Sequence, residues 1–267
     1  MIEMPFFNYH LKGKGSINNL AEATVFFSGE NKWHNLQAWP PKEKSDKVIF
    51  LQPQGRLAWT KPTATSTFTE YISDPAKPVP YTEDVHKRRT TQYMTDDQRF
   101  AARRPDVLVF ETEILNEELT LTGTLIADLW VSTTGTDADF IVKVIDVFPD
   151  PFEDENENNY PMGGYQMLIR GEVMRGKFRN SFEKPEAFTP NKVARLKFEL
   201  PDVAHTFKKG HKVMVHIQST WFPLVDRNPQ KFVNIYTAKD SDYQKASIRI
   251  YHDAKHSSGI TLPVLKK

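Results

Sequence analysis

Beyond residue 20, apolar and polar residues alternate with a period of two along most of the chain, in short runs separated by Pro, Gly, Asn and Asp. This pattern predicts β-strands whose successive side chains point to opposite faces. In "TLIADLWVSTT", for example, Leu125, Ala127, Leu129 and Val131 fall on one face. Counting such runs predicts roughly twelve strands and almost no amphipathic helix after residue 20.

One run departs from strict alternation. "DFIVKVIDVFPD" is almost continuously apolar and β-branched, which predicts a central strand covered on both faces. The long strand pattern after it contains Gly171 and Gly176, where we expect bulges or bends. Together the runs predict an all-β sandwich, and the long connections at 73–106 and 149–164 favour jelly-roll wiring over a simple meander.

The first twenty residues have a different pattern. Phe6, Phe7 and Leu11 lie at one-turn spacing, before Gly13 and Gly15 end the pattern, so a short helix is expected here. A helix of about 12 residues is marginal alone. We therefore expect residues 1–20 to be the terminal helix and linker of a preceding domain, and residues 21–267 to form the β domain.

Residues 73–106, called the long loop below, form an unusually long connection for a compact domain. Such a segment is either disordered or laid over a functional surface. Prolines stiffen its start, and Tyr81, Tyr93, Met94 and Phe100 give it apolar anchors. The ordered alternative is the one these anchors favour.

Composition excludes several classes of function. The 267 residues carry 35 Lys and Arg against 34 Asp and Glu, and no basic block is interleaved with aromatic residues, so no nucleic-acid partner is expected. No apolar run reaches the ~18 residues of a membrane span, and no membrane partner is expected. The chain has 0 cysteines, which excludes disulfides and cysteine-ligated zinc but leaves the compartment open.

The stretch "HIQSTWFPLVDRNPQ" places His216, Ser219 and Asp226 close together and raises the question of a catalytic triad. Along an extended strand, a serine three residues from a histidine lies roughly 10 Å away, against the ~3 Å that a nucleophile and its base require. The pattern instead predicts a strand end, an aromatic plug at Trp221 and Phe222, and a turn from Asp226 to Pro229.

No other stretch predicts catalysis by this chain alone. The Gly-x-Ser-x-Gly elbow of α/β-hydrolases is absent from the sequence, as are cysteine nucleophiles, so no catalytic residue is assigned. The nearest histidine pairs are His205 with His211 and His252 with His256. The second pair would share one face only in a helix, whereas "IRIYHDAKH" predicts a strand entering a turn, so no metal site is predicted. The acidic run at 150–159 lacks the glycine and glutamate register of a calcium loop. Neither a metal nor another cofactor is expected.

Two long stretches carry a resemblance to a known family. Residues 103–150, beginning "RRPDVLVFETEIL", and residues 164–232, beginning "GYQMLIRGEVMRG" and containing "WFPLVDRNPQ", resemble the C-terminal jelly-roll domain of the cocaine esterase and X-prolyl dipeptidyl peptidase superfamily. Within it, the chain looks most similar to the α-amino-acid ester hydrolases, some of whose relatives are labelled glutaryl-cephalosporanic acid acylases. The resemblance implies a galactose-binding-like jelly roll, preceded by the helix "FFNYHLKGKG" that leads out of an α/β-hydrolase domain.

The resemblance also implies what the chain does. The family's Ser, Asp and His triad and its cap domain lie upstream of this sequence, so we expect a serine hydrolase whose catalytic residues are not here. Its substrates would be small esters or peptides: α-amino-acid esters, β-lactam acyl amides or X-Pro dipeptides. The jelly roll would pack on the hydrolase and cap domains and shape the mouth of the active site. The candidates for the pocket wall are Tyr93, Met94 and Tyr81, and those for the domain interface are Phe6, Phe7, Trp221 and Phe222.

A second hypothesis is a free-standing carbohydrate-binding jelly roll. Trp33, Trp39 and Trp59 could then form a stacking platform for sugar rings. Under the first hypothesis, the surface near Phe6 and Trp221 is unusually apolar, and two copies of the chain could associate through it as a homo-oligomer. Export of the parent to a periplasm or beyond follows from resemblance only, and the localisation stays unknown.

Overall fold

A computed structural model describes residues 2–18, 20–152 and 160–266. Within these ranges the chain folds into thirteen β-strands and two helices. The helices are α1 (Glu3–Lys12) and α2 (Arg99–Ala102). The strands are β1 (Ala23–Phe27), β2 (Lys32–Leu36), β3 (Lys44–Gln52), β4 (Arg56–Ala58), β5 (Phe68–Ser73), β6 (Val107–Glu111), β7 (Leu119–Thr133), β8 (Asp139–Val147), β9 (Gln166–Arg175), β10 (Ala194–Phe207), β11 (Lys212–Gln218), β12 (Ala246–Tyr251) and β13 (Gly259–Leu265). Neither helix combines the length and the apolar character needed to cross a membrane.

The strands form an all-β sandwich, as the sequence predicts. Ten of them follow the hydrogen-bonded order β5-β12-β7-β13-β3-β4-β6-β11-β8-β9, with β10 on the other edge of β7. In a flat sheet, β7 and β8 would lie roughly 29 Å apart at about 4.8 Å per strand. Yet Leu125 of β7 and Val142 of β8 share one core cluster. The sheet must therefore fold over between these two strands.

The inward faces follow the alternation in the sequence. Leu125, Ala127, Leu129 and Val131 on β7 are fully buried, as predicted. β8 is buried along nearly its whole length, which confirms it as a central strand covered on both faces. One face of β8 belongs to the core of the sandwich, so another part of the chain must cover the opposite face.

Gly171 and Gly176 differ in their effect on β9. Gly171 pairs in regular register with Lys143, and the irregularity between β8 and β9 falls at Val144 and Ile145 instead, so the prediction of a bulge at Gly171 is wrong. A Cβ at Gly171 would lie 3.1 Å from the indole of Trp221, which explains the glycine by close approach. Gly176 begins a 3₁₀ turn after β9, so the predicted bend is confirmed there.

The predicted amino-terminal helix is present as α1. It ends at Gly13, which adopts the left-handed conformation (φ 60°) that favours glycine at a helix C-terminus. None of its described residues is buried. The apolar face that the sequence predicts therefore has no extensive cover from the described chain.

The hairpin of β1 and β2 is attached to the sandwich at its turn. Ser28 and His205 form a parallel bridge, in which Ser28 N–H donates to Ala204 O and Thr206 N–H donates to Ser28 O. Gly29 follows with φ +84°, and a Cβ there would lie 2.0 Å from Thr206 O. Only glycine permits this close approach of two backbones.

We expect Gly29→Ala to lower the free energy of unfolding by more than Gly210→Ala does. Both glycines have positive φ, but a Cβ at Gly210 meets nothing within 4 Å. Gly210→Ala, the control, should lower the free energy of unfolding by roughly 1–2 kcal/mol because of its backbone conformation. Gly29→Ala should lower it by at least about 1 kcal/mol more, because the new Cβ overlaps Thr206 O. Urea unfolding of both variants measures the difference, and equal losses would contradict the attachment described here.

Candidate functional site

The long loop lies on the sandwich and is bonded to the segment that follows β11. Tyr81 N–H donates to Phe222 O at 2.9 Å, and Phe222 N–H donates to Val79 O at 3.0 Å. Val79 N–H also donates to Thr220 Oγ1 at 2.7 Å. These bonds act like a short additional strand pairing, and they fix the first half of the loop against the end of β11.

An aromatic cluster holds the second half of the loop. The rings of Tyr81 and Tyr93 lie 5.5 Å apart, and Tyr93 meets Trp221 edge-on at 5.7 Å. Trp221 is only 6% exposed and packs with Ile141, which lies on the outer face of β8. Such aromatic contacts contribute beyond the area they bury. The loop thus covers the outer face of the central strand, through residues that the sequence suggested as anchors.

Met94 is placed differently from the two tyrosines. It follows Tyr93 in a 3₁₀ turn and is 50% exposed, whereas Tyr81 is buried and Tyr93 is partly buried. Of the three pocket candidates, the structure therefore brings Tyr81 and Tyr93 together beneath the loop and leaves Met94 on its outer side. Tyr81 also accepts a hydrogen bond from Thr90 N–H at 3.0 Å, so its hydroxyl serves the loop itself.

A buried cation lies under this cluster. Lys143 of β8 is fully buried, and its Nζ donates to Gln98 Oε1 at 2.9 Å and lies 4.8 Å from the ring of Trp221. Burial away from water lowers the pKa of Lys143 to about 7. His216 of β11 lies opposite Lys143, and burial, with the nearby Lys143 charge, lowers the pKa of His216 to about 3. His216 is therefore neutral at physiological pH.

The structure answers the question of the triad at 216–226. Ser219 Oγ lies 2.6 Å from the hydroxyl of Tyr71, and both ring nitrogens of His216 lack a hydrogen-bond partner. Met214, His216 and Gln218 share the outer face, while Val215 and Ile217 belong to the core. His216 and Ser219 thus do not form a catalytic pair, as the strand geometry predicts.

The turn after Trp221 instead clamps neighbouring elements. Asn228 Nδ2 donates to Asp139 Oδ1 at 2.8 Å, and Arg175 Nη2 donates to Asp226 Oδ1 at 2.7 Å. Arg175 also holds Asp139 through two hydrogen bonds of 3.0 Å. The turn is therefore tied to the ends of β8 and β9.

The same turn reaches the start of the long loop. Gln230 Nε2 donates to Ser73 Oγ at 2.7 Å, and Arg227 Nη1 donates to Pro75 O at 2.9 Å. Gln230 and Ser73 are buried, so this contact is shielded from water. The motif that suggested chemistry in the sequence therefore fixes the first part of the long loop, from Ser73 to Tyr81.

The structure also contains a Ser, His and Asp row that sequence reasoning missed. Ser28 Oγ lies 2.9 Å from His205 Nδ1, and His205 Nε2 lies 3.1 Å from Asp146 Oδ2. The other oxygen of Asp146 lies 2.8 Å from His211 Nδ1. No local motif signals this row, because Ser28 and His205 are 177 residues apart.

The geometry of this row fits a structural role rather than a catalytic one. His205 is fully buried between Ser28 and Asp146, so a substrate leaving group cannot reach either ring nitrogen. The nitrogens are also used in the reverse sense of the serine hydrolase triad, in which Nε2 faces the serine. The row joins the hairpin turn, β10 and β8, and Asp146 shares its charge with a second histidine.

An open cleft of about 540 Å³ adjoins the long loop. Its apolar lining includes Pro80, Phe222 and Leu224, and its basic lining includes Arg88 and Arg89. Phe222 is partly exposed, whereas its neighbour Trp221 is buried in the aromatic cluster. Of these two interface candidates, only Phe222 therefore offers substantial surface to another domain.

The remaining interface candidates lie on α1. Phe6 and Phe7 are 44% and 52% exposed, and their rings meet edge-on at 5.4 Å. Leu11 on the same helix is 75% exposed. The helix therefore presents a continuous apolar surface to solvent in this chain.

The three tryptophans of the alternative hypothesis lie in different surroundings. Trp33 is 69% exposed and packs against Phe26 on the first hairpin. Trp39 donates from Nε1 to Asp202 at 2.7 Å. Trp59 lies in a separate cleft of about 910 Å³ beside the 112–120 segment. No described contact joins them into one platform.

The histidine pairs have hydrogen-bonding roles. His205 and His211 both contact Asp146, while His252 contacts Thr67 and Thr69 from β5 and the segment before it. His256 lies beside Asp253. In residues 2–18, 20–152 and 160–266, no group of three or more ligating side chains could hold a metal ion. Most of the acidic run, residues 153–159, lies outside the described residues.

Comparisons with known proteins place this architecture in a family. The sequence model of the family described as X-Pro dipeptidyl-peptidase C-terminal non-catalytic domain matches residues 16–261. The chain therefore belongs to that family, and the resemblance predicted from residues 103–150 and 164–232 is confirmed.

Three relatives illustrate the match. A cocaine esterase from Rhodococcus sp. (strain MB1 Bresler) is 27% identical over 98% of this chain, which spans 45% of the esterase. The crystal structure of an aminopeptidase from a marine sediment Thaumarchaeota archaeon is 39% identical, with a TM-score of 0.90 over 98% of this chain and 43% of its own. An α-amino acid ester hydrolase structure is 41% identical, with a TM-score of 0.89 over 97% of this chain and 44% of its own.

These relatives are all hydrolases, so the chain is a domain of a hydrolase superfamily. It spans less than half the length of each of the three. The jelly-roll sandwich that the sequence predicts is the fold they share with it.

We expect Ser28 to be structural. The purified chain should not hydrolyse α-amino-acid methyl esters above background, and a serine-directed phosphonate should leave Ser28 unlabelled, because His205 is sealed from substrate. Ser28→Ala should lower the free energy of unfolding by about 1 kcal/mol, since the His205 nitrogen loses its partner. Ser16→Ala, at an exposed serine, is the matched control. Turnover that disappears in Ser28→Ala would refute this assignment.

Proposed function

We propose that this chain is the accessory jelly-roll domain of a serine hydrolase acting on small esters or peptides, and that it forms one wall of the active-site mouth. The chemistry resides in an α/β-hydrolase domain and a cap domain of the parent protein. The substrate class we favour is α-amino-acid esters, with β-lactam acyl amides and X-Pro dipeptides as related acyl substrates. Identities of 39% and 41% to an aminopeptidase and an α-amino acid ester hydrolase support this class.

The observation that carries the proposal is the fixed long loop. A wall must hold its position when substrate binds, because misplacement of about 1 Å can remove much of the benefit of binding. Tyr93 is held by Trp221 from below and by Tyr81 from the side. Met94 is then presented outward at the turn, free to touch a ligand or a neighbouring domain. The aromatic residues beneath the turn hold it in place, while the flexible thioether of Met94 can adapt to different apolar groups. Both properties suit the wall of a substrate pocket.

The proposed interface uses the apolar surface that the chain leaves uncovered. Phe6 and Phe7 on α1 would pack against the hydrolase domain, and Phe222 beside the long loop would pack near the mouth. Trp221 would act indirectly, by supporting Tyr93. Aromatic residues of this kind commonly contribute most to interfaces when they become buried.

A chimera tests the proposal. The chain replaces the matching 44% of the α-amino acid ester hydrolase, whose sequence is 41% identical to it. We expect an active enzyme in which Met94→Ala lowers kcat/KM for a bulky acyl ester roughly tenfold, because the acyl group loses an apolar contact. Steady-state kinetics with a bulky and a small acyl ester measure the loss.

Phe182→Ala is the matched control, because Phe182 is a large, 78% exposed apolar side chain outside the long loop. It should leave kcat/KM unchanged for both esters. An active chimera in which Met94→Ala and the control behave alike would refute the wall. Phe7→Ser in the chimera tests the interface. If the two parts still unfold in a single thermal transition at the parent's temperature, their docking is unaltered and the proposed interface is refuted.

A further inference from the structure

Lys143 has no part in the chemistry discussed so far, yet its position is unusual. It is a fully buried lysine on the outer face of β8, and within the described residues no carboxylate forms an ion pair with it. Its Nζ instead contacts Gln98 from the long loop and the ring of Trp221. Without a counter-ion, burial costs the charged form of this lysine more than the neutral form, so the docked loop favours the neutral amine.

The two contacts of Lys143 hold the same segment of the long loop. Gln98 is fully buried, and its Nε2 donates to Asp96 O at 2.8 Å, while its backbone N–H donates to Gln166 O at 3.0 Å. Trp221 supports Tyr93 edge-on. The amino group of Lys143 therefore lies beneath the part of the long loop that runs from Tyr93 to Gln98.

We propose that Lys143 is a positioning residue for the wall formed by Tyr93 and Met94, and that its charge state sets how firmly the long loop is held on the sheet. This inference rests on the proposed function for its catalytic consequence. The docking of the loop itself can be measured without any hydrolase domain.

The direction of the effect follows from proton binding. In the docked loop, burial lowers the pKa of Lys143 to about 7, whereas a lysine in water has a pKa of about 10.4. Between these values the lifted loop binds one more proton than the docked loop. Raising the pH through this window therefore favours docking, and the opening equilibrium falls by up to about tenfold per pH unit. Below pH 7 the dependence should level off.

Other charged groups around Lys143 do not produce this window. His216 from β11 is neutral there, because burial lowers its pKa to about 3. On β9 the facing residue is Gly171, which has no side chain. Two acids precede Gln98 in the loop: Asp96 accepts a hydrogen bond from Thr82, and Asp97 pairs with Arg99. The phenols of Tyr81 and Tyr93 also lie in the cluster, and the hydroxyl of Tyr165 donates to Thr95 O, where burial raises its pKa above the usual value.

Hydrogen exchange of the full chain tests the proposal. Mass spectrometry of peptides covering residues 90–98, at pH 7, 8 and 9 and corrected for the intrinsic exchange rate, gives the opening equilibrium. In the unmodified chain it should fall about fivefold between pH 7 and 8 and close to tenfold between pH 8 and 9. In Lys143→Met, which keeps the length of the side chain without its charge, it should be independent of pH. Peptides from β12, which lies in the other layer, should show no such trend.

Lys212→Met is the matched control, because Lys212 lies on β11 but is partly exposed and paired with Glu111 at 2.8 Å. It should keep the pH dependence of the unmodified chain. A flat profile in the unmodified chain overturns the proposal even if Lys143→Met does not fold, and so does an equal slope in both. In the chimera, KM for the bulky ester should rise below pH 8 more than kcat falls, and Lys143→Met should remove that rise. If the loop docks as expected but Met94 has no effect on catalysis in the chimera, the proposed function is refuted and the role of Lys143 in docking is not.

Discussion

The packing of Trp221 against the outer face of the sheet is the constraint on which the candidate site depends. The indole occupies the space left by Gly171, lies over the ammonium of Lys143 and supports Tyr93 from below. Because β8 is central, its core face is fixed by the sandwich, and this loop and the segment after β11 contact its outer face at Ile141 and Lys143. A fold that buries both faces of one strand must supply such a cover, and here the cover carries the residues proposed for the wall.

The turn "DRNPQ" completes this arrangement. Asn228 and Asp226 tie it to β8 and β9 through Asp139 and Arg175, and Gln230 ties it to the last residue of β5. Its polar groups are used almost entirely for positioning, which accounts for the aspartate, arginine, asparagine and glutamine of this turn by structure alone. Charged and amide side chains suit this task, because each can join two backbone segments that are distant in sequence.

The sequence predicted the strands well because burial on one face leaves a period of two, as at Leu196 and Phe198, which point to the core. It also indicated the long loop from its length and its aromatic anchors. It could not predict what lies under the loop. Lys143 meets Gln98 across 45 residues, and its burial contradicts the usual preference of lysine for water. The row from Ser28 to Asp146 could not be predicted from the sequence for the same reason, since neither residue carries a local signal of its partner.

Two Ser, His and Asp sets stand out in the part of the chain that the structure describes, and geometry separates both from catalysis. In the first, Ser219 follows the end of β11 and its hydroxyl contacts Tyr71, while both ring nitrogens of His216 lack a partner, so the base never meets the hydroxyl. In the second, Ser28, His205 and Asp146 do meet, but the histidine is sealed inside the fold and cannot deliver a proton to a leaving group. A catalytic histidine needs one nitrogen toward its nucleophile and open space beside it for substrate. This requirement, rather than the presence of three residue types, is what neither set meets.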